Sequence, residues 1–336
     1  MAGPSWEAVR EAHERIRARI HRTPVLTSEQ LDGMSGARLF FKCENLQKSG
    51  SFKIRGATNA LFSMNEAEAV RGVATVSSGN HAAALSLAAR WRGVPAWVVM
   101  PSNTPQVKRQ AVEAYGGRIR FCEPTMKGRE EGLRALLAET GAALVHPYDD
   151  DRVIAGQGTA AKELLEEVPD LGYVLAPVSG GGLLSGTGIA AKSLKASVLV
   201  IGCEPKNADD AYRSLESGEI QPSVNPNTIA DGLRAQLAPR TFAILRERVD
   251  RIALVSEEEI VQAMRLLWER MKIVVEPSGA VGAAVAVFRK KEWEGKRVGV
   301  ILSGGNVQIG PLSHWRLASR LGKSRSAGSG QVPALG

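Results

Sequence analysis

Val174-Leu175-Ala176-Pro177-Val178 runs directly into Ser179-Gly180-Gly181-Gly182-Leu183. An apolar run bounded by a glycine cluster reads as a buried strand ending in a tight loop. A helical stretch, 183–195, follows it. The same order occurs twice more. Val73-Ala74-Thr75-Val76 leads into Ser77-Ser78-Gly79-Asn80, and Val298-Gly299-Val300-Ile301-Leu302 leads into Ser303-Gly304-Gly305-Asn306. Between these points strand and helix alternate. Helices are expected at 6–20, 52–64, 81–91, 106–115, 128–140, 156–168, 257–271 and 278–288, and further strands at 39–42, 95–100, 118–122, 143–146 and 197–203. Repeated βα units with apolar strands predict an α/β fold of parallel-rich twisted sheets covered by helices on both faces. Ligands of such sheets bind beyond the carboxyl ends of strands, and free amides at helix N-termini favour anions there. The small-residue loops are therefore candidate oxyanion cradles.

Composition bounds the rest. The chain has 336 residues, 44% hydrophobic and 23% charged. That is ordinary for a globular protein and excludes a mostly disordered chain, a collagen-like chain and a coiled coil. No apolar run approaches the ~18 residues of a membrane span, and the charged N-terminus shows no signal-peptide core. Cys43, Cys122 and Cys203 are widely spaced and odd in number. They suggest neither a disulfide framework nor a metal site, so a reducing, cytoplasmic setting is expected. The net charge of +8 collects near 10–22 and 316–325, without interleaved aromatics. A basic surface that attracts anionic small molecules explains it, and no nucleic-acid or membrane partner is expected. The small, polar stretch 322–336 is expected to be a disordered tail.

Two features carry chemistry. The loop at 180–182 could be a dinucleotide fingerprint, with Glu204 as the ribose-binding acid, but Ser185 stands where a sixth-position glycine or alanine is needed. The alternatives are a cup for one phosphate, made of consecutive backbone amides, and a turn used only for packing. The second feature is Ser51-Phe52-Lys53-Ile54-Arg55-Gly56. A lone lysine is ordinarily a solvated surface charge. An apolar setting between Phe52 and Ile54 would instead lower the pKa of Lys53 and favour the nucleophilic amine.

Taken in order, Ser51-Phe52-Lys53-Ile54-Arg55-Gly56, Ser77-Ser78-Gly79-Asn80-His81, Gly180-Gly181-Gly182-Leu183 and Ser303-Gly304-Gly305-Asn306 resemble the fold-type-II pyridoxal-phosphate enzymes. The branch is that of the serine racemases and serine/threonine dehydratases. Ala155-Gly156-Gln157-Gly158-Thr159, Asn207-Ala208-Asp209-Asp210 and Ala230-Asp231-Gly232 extend the resemblance over about residues 5–315. It implies a tryptophan-synthase-β-like fold. The large cofactor-binding domain would comprise 1–49 and 149–320, the small domain 50–148.

The resemblance also implies roles. Lys53 would carry the aldimine to pyridoxal 5'-phosphate. Ser179, Gly180, Gly181, Gly182 and Leu183 would hold the phosphate through backbone amides. Asn80 would bond the phenolic oxygen, and Ser303 would meet the pyridine nitrogen. A neutral hydroxyl there leaves the ring a weaker electron sink, which favours elimination over transamination. Ser77, Ser78, Gly79, Asn80 and His81 would bind the substrate carboxylate. Ser78 would either serve as a second acid/base, opposite Lys53, or only bond the carboxylate. Glu204, Asp210 and the Ala208 carbonyl resemble a divalent-cation site, a ligand set suited to Mg²⁺ or Ca²⁺. The plain alternative is that Glu204 ends a strand and Asp210 opens a helix.

Departures narrow the reading. Lys48, Ser49 and Tyr115 match positions of the animal racemases' nucleotide site, but Arg10 and Ala83 do not. Tyr148 stands where those racemases have an active-site asparagine, which reads more like the dehydratases. No regulatory domain is expected after 315. The expected activity is deamination of L-threonine, L-serine or a related β-hydroxy amino acid such as 3-hydroxyaspartate to a 2-oxo acid and ammonia. The alternatives are serine racemisation, alone or alongside, and, more distantly, a nicotinamide-dependent oxidoreductase. A homodimer acting on a small amino acid is expected.

Overall fold

The computed structural model describes residues 3–308, so the expected tail at 322–336 lies outside the described residues. Ten strands occur among them: β1 (Val25–Leu26), β2 (Arg38–Cys43), β3 (Val73–Val76), β4 (Ala96–Pro101), β5 (Arg118–Cys122), β6 (Ala143–Leu144), β7 (Tyr173–Pro177), β8 (Leu199–Pro205), β9 (Arg251–Val255) and β10 (Arg297–Leu302). They form a six-stranded sheet in the order β1-β2-β10-β7-β8-β9 and a four-stranded sheet in the order β5-β4-β3-β6. All neighbours are parallel except β1, which pairs antiparallel with β2 in the register Val25 to Lys42.

Alternation along β7 shows why its sequence is continuously apolar. Val174 and Ala176 enter a core shared with Leu164, Leu184 and Val200. Leu175, between them, enters the opposite core with Ile201, Ala280 and Val298. Successive side chains point to opposite faces, and both faces are covered by helices, so each must be apolar.

The predicted strands and helices recur with shifted ends. The helix expected at 156–168 begins at Asp151, because the Asp150 side chain caps it by accepting from Arg152 N. The helix expected over 257–271 is α-helical only over Glu257–Leu266, continues as a π-helical turn at Leu267–Met271, and stops at Lys272 in the left-handed region (φ 60°). Helices at Glu29–Ser35 and Pro239–Arg248 and strand β9 are not expected from the sequence, and the helix that Asp210 opens in the alternative reading forms over Asp210–Ser217. All are short, which leaves little periodicity to read.

The helix Lys53–Ser63 lies across the helix Asp151–Glu167 at Gly56 and Gly156. A Cβ on Gly156 would stand 2.6 Å from the Gly56 Cα. Two glycines are needed there because the backbones touch. This crossing places the start of the Lys53 helix beside the loop that precedes the helix Asp151–Glu167.

Candidate active site

Among the described residues, two of the three strand-end loops open a helix. β3 ends at Val76, and the helix Asn80–Arg92 follows Ser77-Ser78-Gly79. β7 ends at Pro177, and the helix Gly182–Leu194 follows the glycine loop. The first amides of a helix have no intrahelical partner, so both loops present donors towards the strand ends. After β10, Ser303 and Gly304 meet the lysine motif: Phe52 N donates to Ser303 O at 3.0 Å, and Ser51 bridges Gly304.

Lys53 is the first residue of its helix. Its Nζ donates to Pro147 O at 2.8 Å. Burial pushes the amine down to about 8, opposed by the Glu276 carboxylate. The residue after Pro147 closes the other side. The Tyr148 ring lies on Gly180, where a Cβ would stand 2.5 Å from three ring carbons. Lys53, Tyr148 and the glycine loop are thus neighbours. Ser179 Oγ is occupied with the backbone of Ala235, at 3.2 Å to its carbonyl and 3.1 Å from its amide. Ser303 is buried, and its hydroxyl donates to Ser278 O at 3.5 Å.

Asn80 belongs to a polar chain that the sequence did not reveal. Its Nδ2 donates to Glu276 Oε1 at 2.7 Å, and its Oδ1 accepts from Asn306 Nδ2 at 2.9 Å. Asn306 Nδ2 also donates to Ser49 O at 2.8 Å. Burial, then Asp231, pushes the Glu276 carboxyl up to about 7, against the bond from Asn80. A buried acid titrating near neutrality beside a depressed lysine is a functional-site signature. The available signal was a lone acid between Val274-Val275 and Pro277. Only the fold brings it to Asn80.

His81 is buried, with Nε2 3.2 Å from Val145 O, and burial together with Lys53 drives it down to about 3. Its ring is therefore neutral. Ser77 Oγ accepts from Gly79 N at 3.3 Å, and Ser77, Ser78 and Gly79 are half-buried at the mouth of the loop.

Glu204 and Asp210 come together at the end of β8 and the start of the helix Asp210–Ser217. Glu204 accepts from Ala211 N at 3.1 Å and Tyr212 N at 2.9 Å, so it caps that helix. Burial pushes Glu204 well above the carboxylate range and Asp210 up to about 6. Asp210 Oδ2 is buried without a hydrogen-bond partner. Two buried acids and an orphaned oxygen are a donor set that suits a hard divalent cation. No cluster of three or more His, Cys, Asp or Glu stands ready for a metal among the described residues.

The glycine loop, the strand-end amides and the lysine also fit a phosphorylated aldehyde: amides for a phosphate, an amine for a carbonyl carbon. Comparison with known proteins agrees. The family described as pyridoxal-phosphate dependent enzyme matches residues 16–304. The β-hydroxyaspartate dehydratase of Paracoccus denitrificans (strain Pd 1222) is 50% identical over 309 residues, 92% of this chain and 98% of that protein. The structure of maize serine racemase superposes with a TM-score of 0.91 at 44% identity, covering 95% of this chain and 99% of that one. The threonine deaminase of T.th. gives 0.88 at 48% identity, covering 92% and 100%.

Proposed function

The chain belongs to the pyridoxal-phosphate-dependent enzymes, with their fold-type-II architecture, and on that premise we propose that it deaminates a β-hydroxy amino acid. The substrates are L-threonine, L-serine or 3-hydroxyaspartate, and the products a 2-oxo acid and ammonia. The dehydratase and the deaminase among its relatives support this reading. The observation that carries it is the Lys53 amine, pushed down to about 8 by burial and held on Pro147 O between the strand-end loops.

When bound, pyridoxal phosphate supplies an electrophilic aldehyde and a conjugated ring that stabilises negative charge at the substrate Cα. Lys53 would hold the aldehyde carbon through its amine, and its amine, when free, would accept the α-proton. The amides of Ser179, Gly180, Gly181, Gly182 and Leu183 would hold the phosphate, and Ser303 would meet the ring nitrogen. Asn80, held by Glu276 and Asn306, would bond the phenolic oxygen. Ser77, Ser78, Gly79, Asn80 and His81 receive the substrate carboxylate at the start of the helix Asn80–Arg92, where the helix dipole favours an anion. The β-hydroxyl would depart as water, its proton balancing the one that Lys53 accepts from Cα. A second water hydrolyses the released enamine's imine form to the 2-oxo acid and ammonia.

Serine racemisation is the second activity, supported by the serine racemase relative and by Ser78, whose hydroxyl would serve the face of Cα opposite Lys53. The same reading places a resident Mg²⁺ or Ca²⁺ at Glu204, Ala208 and Asp210, where the orphaned Asp210 oxygen supports it. It treats 50–148, which contains the whole four-stranded sheet, as the small domain and 1–49 with 149–320 as the large one. It describes a homodimer in the cytoplasm. The free state of all three cysteines supports a reducing setting. No helix among the described residues is long and apolar enough to cross a membrane.

Lys53→Ala tests the assignment. The purified wild type should show a visible cofactor band that borohydride removes. The variant should lack the band and nearly all turnover. Normal turnover in Lys53→Ala would end the reading.

A further inference from the structure

We propose that Arg55 is a positioning residue for Lys53, acting through a sealed grid of two cations and two carboxylates behind the active site. Lys42, Glu44 and Arg55 are 0% exposed and Glu163 is 2% exposed. All five guanidinium N–H groups of Arg55 are used. Nε and Nη2 donate to Glu44 at 2.7 and 2.8 Å. Nη1 and Nη2 donate to Glu163 at 2.9 and 2.8 Å, and Nη1 also donates to Thr159 Oγ1 at 3.0 Å. Lys42 Nζ completes the grid, donating to Glu163 Oε2 and to Thr23 O, both at 2.7 Å. Thr23 Oγ1 donates in turn to Glu44. Burial would push Glu163 up, but Arg55 and Lys42 overcome it and hold the carboxyl at about 2. Glu163 therefore stays ionised against the Arg55 guanidinium, while burial lowers the Lys42 amine.

A buried ion grid is a poor source of stability, because well-packed apolar residues of similar volume often do as well or better. What it supplies is geometry. The guanidinium is a rigid planar fork, and five satisfied donors leave it one position and one rotation. Arg55 lies two residues after Lys53, about 200° round the helix at 3.6 residues per turn. The two side chains leave opposite sides of the first turn. Lys53 reaches forward to Pro147 O, while Arg55 reaches back to Glu44, just after β2, and to Glu163 on the helix Asp151–Glu167. The Gly56–Gly156 crossing sets the distance between the two helices. The Arg55 fork sets the rotation of the lysine helix, and hence where the Lys53 amine points. This inference rests on the reading of Lys53 as the cofactor lysine.

The test uses the holoenzyme and two variants, Arg55→Lys and Glu44→Gln. Ile260→Ala is the control, a 0% exposed core position on the helix Glu257–Leu266, away from the grid. For each, kcat and KM are measured at a temperature where circular dichroism shows it folded. The pyridoxal-phosphate dissociation constant is measured by titrating the stripped protein. Arg55→Lys should raise that constant about tenfold and lower kcat by about 10- to 100-fold with KM nearly unchanged, the scale expected for a misaimed catalytic group. Glu44→Gln should fall between it and wild type, and it decides the matter if Arg55→Lys does not fold. Ile260→Ala should lose melting temperature but keep cofactor affinity and kcat. Wild-type affinity and kcat in the folded grid variants, or equal losses in the control, would overturn the proposal. Borohydride reduction and peptide mapping of wild type separate the two failures. A pyridoxyl group on another lysine overturns both readings, whereas one on Lys53 with a silent grid overturns only this one.

Discussion

Glu276→Gln should turn a pH-dependent protein into a less pH-dependent one, by an amount the structure sets. The wild-type carboxyl, 6% exposed, titrates at about 7 in the folded chain against an ordinary 4.5. A raised folded value means that the native state holds the proton more tightly. The stability this contributes is full below about 4.5 and is lost as pH rises through about 7. The interval of about 2.5 pH units, at 1.36 kcal/mol each, is about 3 kcal/mol. Glutamine mimics the protonated acid, keeps an oxygen for Asn80 Nδ2, and has no proton to lose. Any hydrogen bond that the new amide spoils is lost equally at every pH, so it shifts the whole comparison without tilting it. Urea unfolding of the cofactor-free wild type and variant at half-unit steps from pH 4.5 to 8 measures the difference. The variant should gain on wild type by about 3 kcal/mol across that range, mostly between 5 and 7. A flat difference would show that Glu276 is not a buried acid in solution. The same substitution removes the carboxylate that raises the Lys53 amine, so amine-directed labelling of Lys53 should begin at lower pH than in wild type.

Further outcomes are expected. Ser78→Ala should abolish D-serine formation from L-serine while leaving deamination measurable, weakened by about 1–3 kcal/mol if a carboxylate hydrogen bond is lost. A variant that still racemises would place the second acid/base elsewhere. Chelation should lower the unfolding free energy, and Mg²⁺ or Ca²⁺ should restore it, by about 2.7 kcal/mol at a hundredfold excess over the dissociation constant, read in urea unfolding. Asp210→Asn should respond to neither chelator nor metal, and a wild type equally indifferent would leave Glu204 as a helix cap alone. Gly180→Ala should weaken pyridoxal-phosphate binding, because its Cβ would strike the Tyr148 ring at 2.5 Å. Unchanged affinity in a titration of the stripped protein would count against a tight glycine loop.

What was legible in the sequence was local. An apolar run ending in serine and glycine announces a buried strand and a loop that backbone or ligand can approach, and β3, β7 and β10 each end that way. The parallel arrangement follows from the alternation of such strands with helices. The order of the motifs was enough to bring Lys53, Asn80, the glycine loop and Ser303 to attention. Their chemistry was not legible, because it depends on partners distant in the chain. The Lys53 amine is depressed by burial, which its apolar neighbours Phe52 and Ile54 suggest, but it is held by Pro147 and opposed by Glu276. Arg55 looks like an ordinary surface charge until Glu44 and Glu163 close around it. Glu276 and Asn80 stand 196 positions apart and meet only where two sheets present their carboxyl edges. Hydrophobic pattern and turn residues are read within a window of a few neighbours, and they decide strand, loop and helix. Burial, hydrogen-bond direction and charge pairing are sums over everything that packs around a group, so protonation and aim were decided only when the chain folded.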